Sequence, residues 1–346
     1  MLKPSDKIAV YMEGHIDSDY GKMGCGVVRY LSNPIVGVID KELAGKKAQD
    51  FMPTTKNIPI LASLTEAIER GAEVLVLGIA PSGGRIPDSW NPVIEEALQK
   101  RLSIVNGLHD LLSDKWGDHI QYPQQQWIWD VRIPQFTPKI ATAKAALLKN
   151  KRILFIGTDM AVGKMTAGLE LYSYYLKNAK NVGFVATGQI GITVTGKGIP
   201  LDAFKVDHAC GAVEKMVLDQ EDKDVVIIEG QGSLLHPGST ATLPLMRGSC
   251  PTHLILCLRA EKQTLRSPED IRIPDLKQFI QLNESLCSVF GTYPQAKVIG
   301  IAANTSTFTE EESISYVSAF EENLQILVTD PISFGMDKLV KAIDKH

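Results

Sequence analysis

The feature that most restricts the fold of this chain is an apolar run that leads into a glycine-bounded loop and then into an amphipathic helix. The run Arg152–Ile156 precedes the loop GTDMAVGK, which begins at Gly157 and ends at Gly163 and Lys164. Apolar side chains recur at helical spacing on one face of the next segment, namely Met165, Leu169, Tyr172 and Leu176. A strand, a loop and a helix in this order form the setting of a phosphate-binding loop, in which loop amides and the helix N-terminus face an anion.

The loop departs from the usual G-x-x-x-x-G-K-[ST] pattern in two ways. Five residues separate Gly157 from Gly163, and Lys164 is followed by Met165, with Thr166 one position later. An ordinary glycine-containing turn with a solvated lysine is the alternative interpretation. We predict that the loop binds the phosphates of a cosubstrate, through Gly157, Thr158, Asp159, Val162, Gly163, Lys164, Met165 and Thr166.

Short β-rich apolar runs alternate with longer amphipathic ones along the chain, which is typical of α/β proteins. At 346 residues the chain is long enough for about two domains. The alternation is interrupted over 127–150, where Pro134 and Pro138 favour extended chain before a short alanine-rich helix. Five strand candidates precede this interruption and six follow it. We predict two doubly wound domains, a Rossmann-like domain over residues 1–135 and a P-loop NTPase-like domain with a mainly parallel sheet over residues 136–346.

Charge and composition argue against several classes of partner. Lys and Arg number 36 and Asp and Glu number 40, and the resulting net charge of −4 is unfavourable for general binding to nucleic acid or to an anionic membrane. Apolar runs such as Ile35–Ile39 are too short to span a bilayer, and the first residues lack the apolar segment of a signal peptide. The five cysteines contain no C-x-x-C pair, which indicates neither disulfides nor zinc. We expect a cytoplasmic homo-oligomer that acts on a small molecule, with no nucleic-acid or membrane partner.

Polar residues follow one strand candidate of the second part, at the edge where open α/β sheets bind ligands. Glu229 opens the segment EGQGS, Ser233 ends it, and His236 follows three residues later. The glycines let the backbone approach a ligand closely, although a tight turn with a helix cap at Ser233 is the alternative. We predict catalytic roles for Glu229, Ser233 and His236, with His236 or Glu229 as general base; a surface histidine is the alternative for His236.

A second polar segment follows another strand candidate of the same part. Thr187, Gly188 and Gln189 are predicted to contact the substrate, through backbone amides that face an acyl or carboxylate group. A flexible connecting loop is the alternative interpretation of this segment. Both possibilities stay open at the level of the sequence.

The loop GTDMAVGK resembles that of dethiobiotin synthetase, an ATP-dependent enzyme whose loop has the same longer glycine spacing. The segment DVVIIEGQGS, residues 224–233, resembles the end of the VVEGAGG strand of that enzyme. This resemblance implies that Glu229 helps to hold Mg²⁺ if ATP is used, with Asp207 as a weaker match to the second acidic ligand. It also implies that Asn304, in IAANTS, contacts the nucleotide base. We count Asp207 among the candidate substrate contacts as well.

Over essentially its whole length the chain resembles the D-glutamate N-acetyltransferase-like family, which joins a Rossmann-like domain to a P-loop domain. The motifs that carry this resemblance are GKMGCGVVRY (21–30), IVGVIDKELAGKKA (35–48), LGIAPSGGRIP (77–87), IVNGLHDLLSD (104–114), GTDMAVGKMT (157–166), ATGQIGI (186–192) and IIEGQGSLLHPG (227–238). The resemblance implies N-acetylation of an amino acid such as D-glutamate by acetyl-CoA, with the phosphate loop holding the CoA phosphates.

Two other functions remain alternatives: an ATP- and Mg²⁺-dependent ligase that activates a carboxylate, as dethiobiotin synthetase does, and a nucleotide sensor without enzymatic activity. The residue after the loop lysine bears on this choice. In ATP-hydrolysing phosphate loops that position carries a hydroxyl that ligates Mg²⁺, whereas the Met165 thioether is a poor ligand for a hard cation. Thr166 lies about 100° further around the helix. We therefore favour CoA over ATP as the cosubstrate.

Overall fold

Two all-parallel sheets of six strands each organise the chain, and the computed structural model describes residues 2–346 apart from the side chain of Ser82. The first compact unit comprises the chain up to Pro134 together with Gln189–Pro200, and the second comprises Gln135–Gly188 and Leu201–His346. The prediction of two α/β units with parallel sheets is confirmed.

The first unit is built from short, almost fully buried apolar strands, as expected of a parallel sheet covered on both faces. Its strands lie in the order β3-β2-β1-β4-β5-β6, which is the Rossmann order. The strands are β1 (Ile8–Tyr11), β2 (Ile35–Ile39), β3 (Ile60–Leu61), β4 (Val74–Leu77), β5 (Ser103–Asn106) and β6 (Ile128–Asp130). The helices before residue 135 are α1 (Lys22–Tyr30), α2 (Leu64–Glu69), α3 (Asn91–Gln99) and α4 (Leu112–Trp116).

The second unit repeats the alternation with longer strands. They are β7 (Lys151–Gly157), β8 (Val182–Val185), β9 (Val225–Ile228), β10 (His253–Arg259), β11 (Lys297–Asn304) and β12 (Leu327–Thr329). The helices are α5 (Lys164–Lys177), α6 (Gln189–Thr195), which groups with the first unit, α7 (Val206–Leu218), α8 (Thr242–Ser249), α9 (Leu276–Ser288), α10 (Glu310–Leu324) and α11 (Asp337–Lys345). The strand order β12-β11-β10-β7-β9-β8 places the loop-bearing strand β7 between β10 and β9.

The structure differs from the sequence-based expectation mainly in short elements. The interrupted stretch contributes the three-residue strand β6, and the predicted alanine-rich helix is only a 3-10 turn at Lys144–Leu147, which follows Ala143 in a left-handed conformation. Helix α6 was not predicted because β-branched residues have low helix propensity. Its threonine hydroxyls bond back to the helix, from Thr193 to the Gln189 carbonyl and from Thr195 to the Gly191 carbonyl.

Among the described residues 2–346, no helix is both long enough and apolar enough to cross a membrane.

Candidate functional site

The predicted phosphate loop lies at the carboxyl end of β7, as the strand–loop–helix pattern requires. Its first amide, Thr158 N, donates to the Cys257 carbonyl of β10 at 3.1 Å, which ties the loop to the neighbouring strand. Further along, Ala161 and Gly163 have φ values of 54° and 103°, in the left-handed region. Gly163 is the residue that precedes α5, and no side chain caps the helix there. The loop therefore leads directly into the helix, and no side chain accepts a hydrogen bond from the first amides of the helix.

Six consecutive backbone amides, those of residues 161–166, span the end of the loop and the start of α5. None of them donates a hydrogen bond to any part of the chain that the structure describes. Three of them open α5, where the first N–H groups of a helix have no carbonyl partner within it. The partial positive charge of the helix N-terminus adds to these donors. The arrangement suits an anion that accepts several N–H bonds at once.

Lys164 is the only full positive charge within the loop, and it is buried at 5% exposure. Its Nζ donates to the Asp159 carbonyl at 2.7 Å, so the side chain folds back over the start of the loop. A Cβ on Gly157 would stand only 3.0 Å from Nζ and 2.8 Å from Val162, so glycine is needed at this point. Burial lowers the pKa of Lys164 to about 8, against the opposing influence of Cys257 and Asp159. A bound anion would favour the charged ammonium again.

Asp159 has a different role from the loop amides. Its side chain is buried, with Oδ1 accepting from Met160 N at 2.6 Å and Oδ2 from Arg266 N at 2.8 Å. Both carboxylate oxygens therefore hold backbone. The predicted contact of Asp159 with the cosubstrate stays a prediction.

Glu229 directly follows β9 and is almost completely buried. Its Oε2 accepts from Thr187 N at 2.8 Å and from Gly188 N at 3.2 Å. Burial raises the pKa of Glu229 to about 7, although these two N–H bonds act in the opposite direction. Oε1 accepts no hydrogen bond within the described residues. Glu229 is therefore a carboxyl group that can exchange a proton near neutral pH.

The backbone after Glu229 passes very close to the phosphate loop. A Cβ on Gly230 would lie 1.6 Å from the Phe155 carbonyl oxygen and 3.0 Å from Lys164 Cδ. The segment that begins with Glu229 and the phosphate loop therefore meet at one edge of the second unit's sheet. The amides of Gly230, Gln231 and Gly232 donate no hydrogen bond within the described chain, which leaves them available to an oxyanion.

Ser233 and His236 form a closed turn. Ser233 is buried, and its Oγ accepts from Leu235 N at 3.1 Å. His236 Nδ1 accepts from Gly238 N at 3.0 Å, and Nε2 lies 2.7 Å from the Ser267 carbonyl oxygen, which can only accept, so Nε2 carries the proton. Both ring nitrogens are thus engaged with backbone groups. A base role for His236 requires that the Gly238 bond be broken, and the catalytic roles of both residues stay predictions.

The predicted substrate segment is ordered by Glu229. The amides of Thr187 and Gly188 donate to the Glu229 carboxylate, and Thr187 Oγ1 donates to the Glu229 carbonyl at 3.0 Å. These amides are therefore engaged with the chain itself. Gln189 is the first residue of α6. The predicted substrate contacts of all three remain untested.

Two further predicted residues lie elsewhere in the second unit. Asp207 is exposed in the first turn of α7. Asn304 ends β11, and its Oδ1 accepts from Ser306 N at 3.0 Å. Within residues 2–346 no group of three His, Cys, Asp or Glu side chains could hold a metal ion. The predicted roles of Glu229 and Asp207 as Mg²⁺ ligands stay predictions.

In the first unit, side chains that follow β1 and β2 pack against neighbouring segments of the same unit. A Cβ on Gly24, in α1, would lie 2.3 Å from Met12 Sδ, so the side chain of Met12 fills the space beside this helix. At the end of β2, Asp40 Oδ2 accepts from Gly14 N at 3.1 Å. The Asp40 carboxylate therefore holds the chain after β1, and Met12 packs against α1.

One cluster was not predicted from the sequence. A pocket beside the phosphate loop is lined by Thr158, Asp159, Val162, Arg259, Lys262, Thr264, Arg266 and Ile273. Three of these residues are cations: Arg259 ends β10, and Lys262 and Arg266 follow it within seven positions. The run of basic residues directly after a strand is the signal that would have indicated it.

Comparison with known proteins places this geometry in a family. Residues 139–340 match the family described as the domain of unknown function (DUF1611_C) P-loop domain, and residues 41–134 match the DUF1611_N Rossmann-like domain. A crystal structure of a DUF1611 family protein from Anabaena variabilis has a TM-score of 0.94 and 39% identity, covering 99% of this chain and 100% of that chain.

Two curated relatives match at moderate identity. Proteins named D-glutamate N-acetyltransferase from Pseudoalteromonas sp and Tritonibacter scottomollicae are each 34% identical to this chain. The alignments cover 80% and 81% of this chain, and 83% and 84% of the relatives. The chain belongs to the DUF1611 family, and the predicted Rossmann-like and P-loop domains are confirmed.

Proposed function

We propose that this member of the DUF1611 family transfers an acetyl group from acetyl-CoA to the amino group of an amino acid such as D-glutamate. The names of the two curated relatives support this assignment. One structural observation carries it: a carboxyl group with a pKa of about 7, on Glu229, meets a phosphate-type loop at one sheet edge. A proton acceptor beside an anion-binding loop is what acyl transfer from a phosphate-bearing donor requires.

The loop suits phosphate groups that are bound by the protein but are not transferred in the reaction. The uncovered amides of residues 161–166 and the Lys164 ammonium supply N–H donors and one charge. At the position where Mg²⁺-dependent loops carry a hydroxyl, this chain has Met165. These donors suit the CoA phosphates better than a phosphoryl group that must be activated by Mg²⁺.

Glu229 supplies the proton chemistry. Only the neutral amine of the acceptor is nucleophilic, so a base must first remove a proton from the ammonium group. Oε1 is the Glu229 oxygen that accepts no hydrogen bond from the described chain. The amine nitrogen then bonds to the acetyl carbon, the thioester C–S bond breaks, and the CoA sulfur leaves with the proton that Glu229 held. The nitrogen gives up its second proton to solvent as the neutral amide forms. The amides of residues 230–232 are the donors available to the oxyanion formed in between.

The test compares two products in one set of assays. The protein is incubated with acetyl-CoA and either D-glutamate or L-glutamate in EDTA, and free CoA thiol is measured. Separately, ADP release is measured with ATP, Mg²⁺ and the same amino acids. We expect thiol release that depends on D-glutamate and is unaffected by EDTA. ADP release that depends on the amino acid and is abolished by EDTA, without any thiol release, would favour the ATP-dependent ligase instead.

The Lys164→Ala variant should bind CoA about 30- to 1000-fold more weakly, because a charge-assisted contact worth about 2–4 kcal/mol is lost. Folding should not suffer, since burial already disfavours the charged form of this side chain. Titration calorimetry measures the affinity. Lys177→Ala, at the exposed far end of the same helix, is the matched control and should bind normally. Equal CoA affinities of Lys164→Ala and the wild type would contradict the assignment.

Binding of CoA at pH 8.5 should take up protons. The pKa of Lys164 is lowered to about 8 by burial, so at this pH much of the amine is neutral, and a bound phosphate restores the charge. The affinity should therefore fall as the pH rises above about 8. Calorimetry in buffers of different ionisation enthalpy gives the number of protons taken up. The Lys164→Ala variant should take up none, and an unchanged uptake there would assign the effect to another group.

A further inference from the structure

The two flanks of the phosphate loop carry opposite charges. Strand β7 lies between β9 and β10. β9 is followed by the carboxyl group of Glu229, whereas β10 ends at Arg259, and Lys262 and Arg266 come next. A ligand that lies across the loop therefore meets a proton acceptor on the β9 side and several cations on the β10 side.

The cations belong to a defined pocket. Arg259, Lys262 and Arg266 line it together with Thr158 and Asp159 of the phosphate loop. Among the described residues, neither the Arg259 nor the Lys262 side chain makes a hydrogen bond or an ion pair with the protein. Cations that share a pocket repel one another, and a bound anion would remove this repulsion.

The chain segment that presents the cations is held in place. We call residues 259–273 the basic hairpin, because they carry the cations Arg259, Lys262, Arg266 and Arg272 beside the carboxylates Glu261, Glu269 and Asp270. Within it, Leu265 N donates to the Ile271 carbonyl at 2.9 Å and Ile273 N to the Gln263 carbonyl at 2.8 Å. The side chain of Leu265 is 1% exposed and anchors the hairpin in the core.

Two side chains of the candidate site fasten this hairpin. Asp159 Oδ2 accepts from Arg266 N at 2.8 Å, and the His236 imidazole donates to the Ser267 carbonyl at 2.7 Å. One of these contacts comes from the phosphate loop and the other from the segment after Glu229. The pocket is thus built against the phosphate loop by residues of the same site.

We propose that this pocket binds a second phosphate group of the cosubstrate, separate from the phosphates held by the loop. The ligand class is then a nucleotide phosphorylated at two positions, as CoA is through its diphosphate and its ribose 3′-phosphate. In the proposed complex the loop amides and Lys164 hold one diphosphate, so Arg259 and Lys262 are available to bind further negative charge. The 3′-phosphate lies on the β10 flank, and the acyl end on the Glu229 flank. This inference rests on the proposed use of CoA.

The experiment is titration calorimetry on the full chain with four probes: CoA, 3′-dephospho-CoA, adenosine 3′,5′-bisphosphate and ADP. We expect CoA to bind at least about tenfold more tightly than 3′-dephospho-CoA, as expected for a charge-assisted contact. In the Lys262→Ala and Arg259→Ala variants this ratio should fall toward one, with the affinity for 3′-dephospho-CoA unchanged. Arg272→Ala is the matched control, because Arg272 is exposed on the same hairpin but does not line the pocket.

The outcomes separate this proposal from the proposed acetyl transfer. If CoA is preferred over 3′-dephospho-CoA but no acetyl group reaches any amino acid, the phosphate pocket stands and the proposed function fails. If acetyl transfer occurs and the wild type binds both forms of CoA equally, the pocket proposal is overturned. The proposal also fails if the variants lose affinity for both forms to the same extent. Thermal unfolding midpoints of the exposed Lys262→Ala variant should match the wild type.

Discussion

Replacing Glu229 by glutamine should lower kcat for acetyl transfer about 10²- to 10⁴-fold, the usual contribution of a general base. The amide keeps the shape of the side chain, and its oxygen can still accept the two bonds from Thr187 N and Gly188 N. It cannot take a proton from the ammonium group of the acceptor. The affinity for CoA should stay within about twofold, because the loop amides and Lys164 are untouched.

The pH dependence of kcat/KM tests the role of Glu229 more directly than the size of kcat does. Because the pKa of Glu229 is about 7, the wild-type kcat/KM should rise with pH through this value as the carboxylate forms. The Glu229→Gln variant should lose that part of the profile. A variant that keeps both the same pH dependence and a high kcat would remove Glu229 from the reaction.

The stability of the Glu229→Gln variant should change in the opposite direction to its activity. The pKa of Glu229 is raised from 4.5 to about 7 in the folded state, so the folded chain holds a proton that the unfolded chain has released in this range. The free energy of unfolding of the wild type therefore falls as the pH rises from about 4.5 to 7, by up to roughly 3 kcal/mol. The variant lacks this loss of stability, so its free energy of unfolding at pH 8 should be at least that of the wild type. Denaturant titration at several pH values measures the difference.

His236→Ala distinguishes the two predicted bases. Both ring nitrogens of His236 bond to backbone groups, so its loss should loosen the basic hairpin rather than remove a proton acceptor. We expect kcat to fall less than about tenfold, with the pH dependence of the wild type retained. If His236→Ala abolishes the limb near pH 7 and Glu229→Gln does not, the base is His236.

The sequence predicted those parts of the site that depend on local order. The β7–loop–α5 unit is recognisable because an apolar run, a glycine loop and a helix are consecutive. The apolar stripe predicted for that helix is only partly buried, since Leu169 is buried and Leu176 is exposed. Glu229 was predicted because it follows a buried strand, and the carboxyl ends of parallel strands meet at one edge. Such signals extend over a few residues and can be recognised without knowledge of tertiary contacts.

The parts that were missed depend on contacts between distant segments. The amides of Thr187 and Gly188 donate to a carboxylate 41 or 42 residues away, a pairing that no local pattern signals. Similarly, the basic hairpin has no regular periodicity, and an Asp159 bond across 107 residues ties it to the phosphate loop. Sequence spacing carries no information about such pairings.

Replacing Gly230 by alanine should destabilise the second unit by about 3 kcal/mol and also reduce CoA binding. The added Cβ would lie 1.6 Å from the Phe155 carbonyl oxygen, which belongs to the backbone of β7 and cannot move without disturbing the central strand. The same Cβ would stand 3.0 Å from Lys164 Cδ. The backbone after β9 must therefore shift away from β7, and it carries Glu229 and the lysine contact with it.

The matched control for Gly230→Ala is Gly168→Ala in the neighbouring helix α5. A Cβ on Gly168 would make only ordinary contacts, the nearest at 3.5 Å, and alanine favours the helix by up to about 1 kcal/mol. Denaturant midpoints should thus fall for Gly230→Ala and stay level or rise for Gly168→Ala. A Gly230→Ala variant with wild-type stability and CoA affinity would mean that the two loops are not in van der Waals contact. The shared site of Glu229 and Lys164 would then lose its structural basis, because Gly230 is the residue that brings them together.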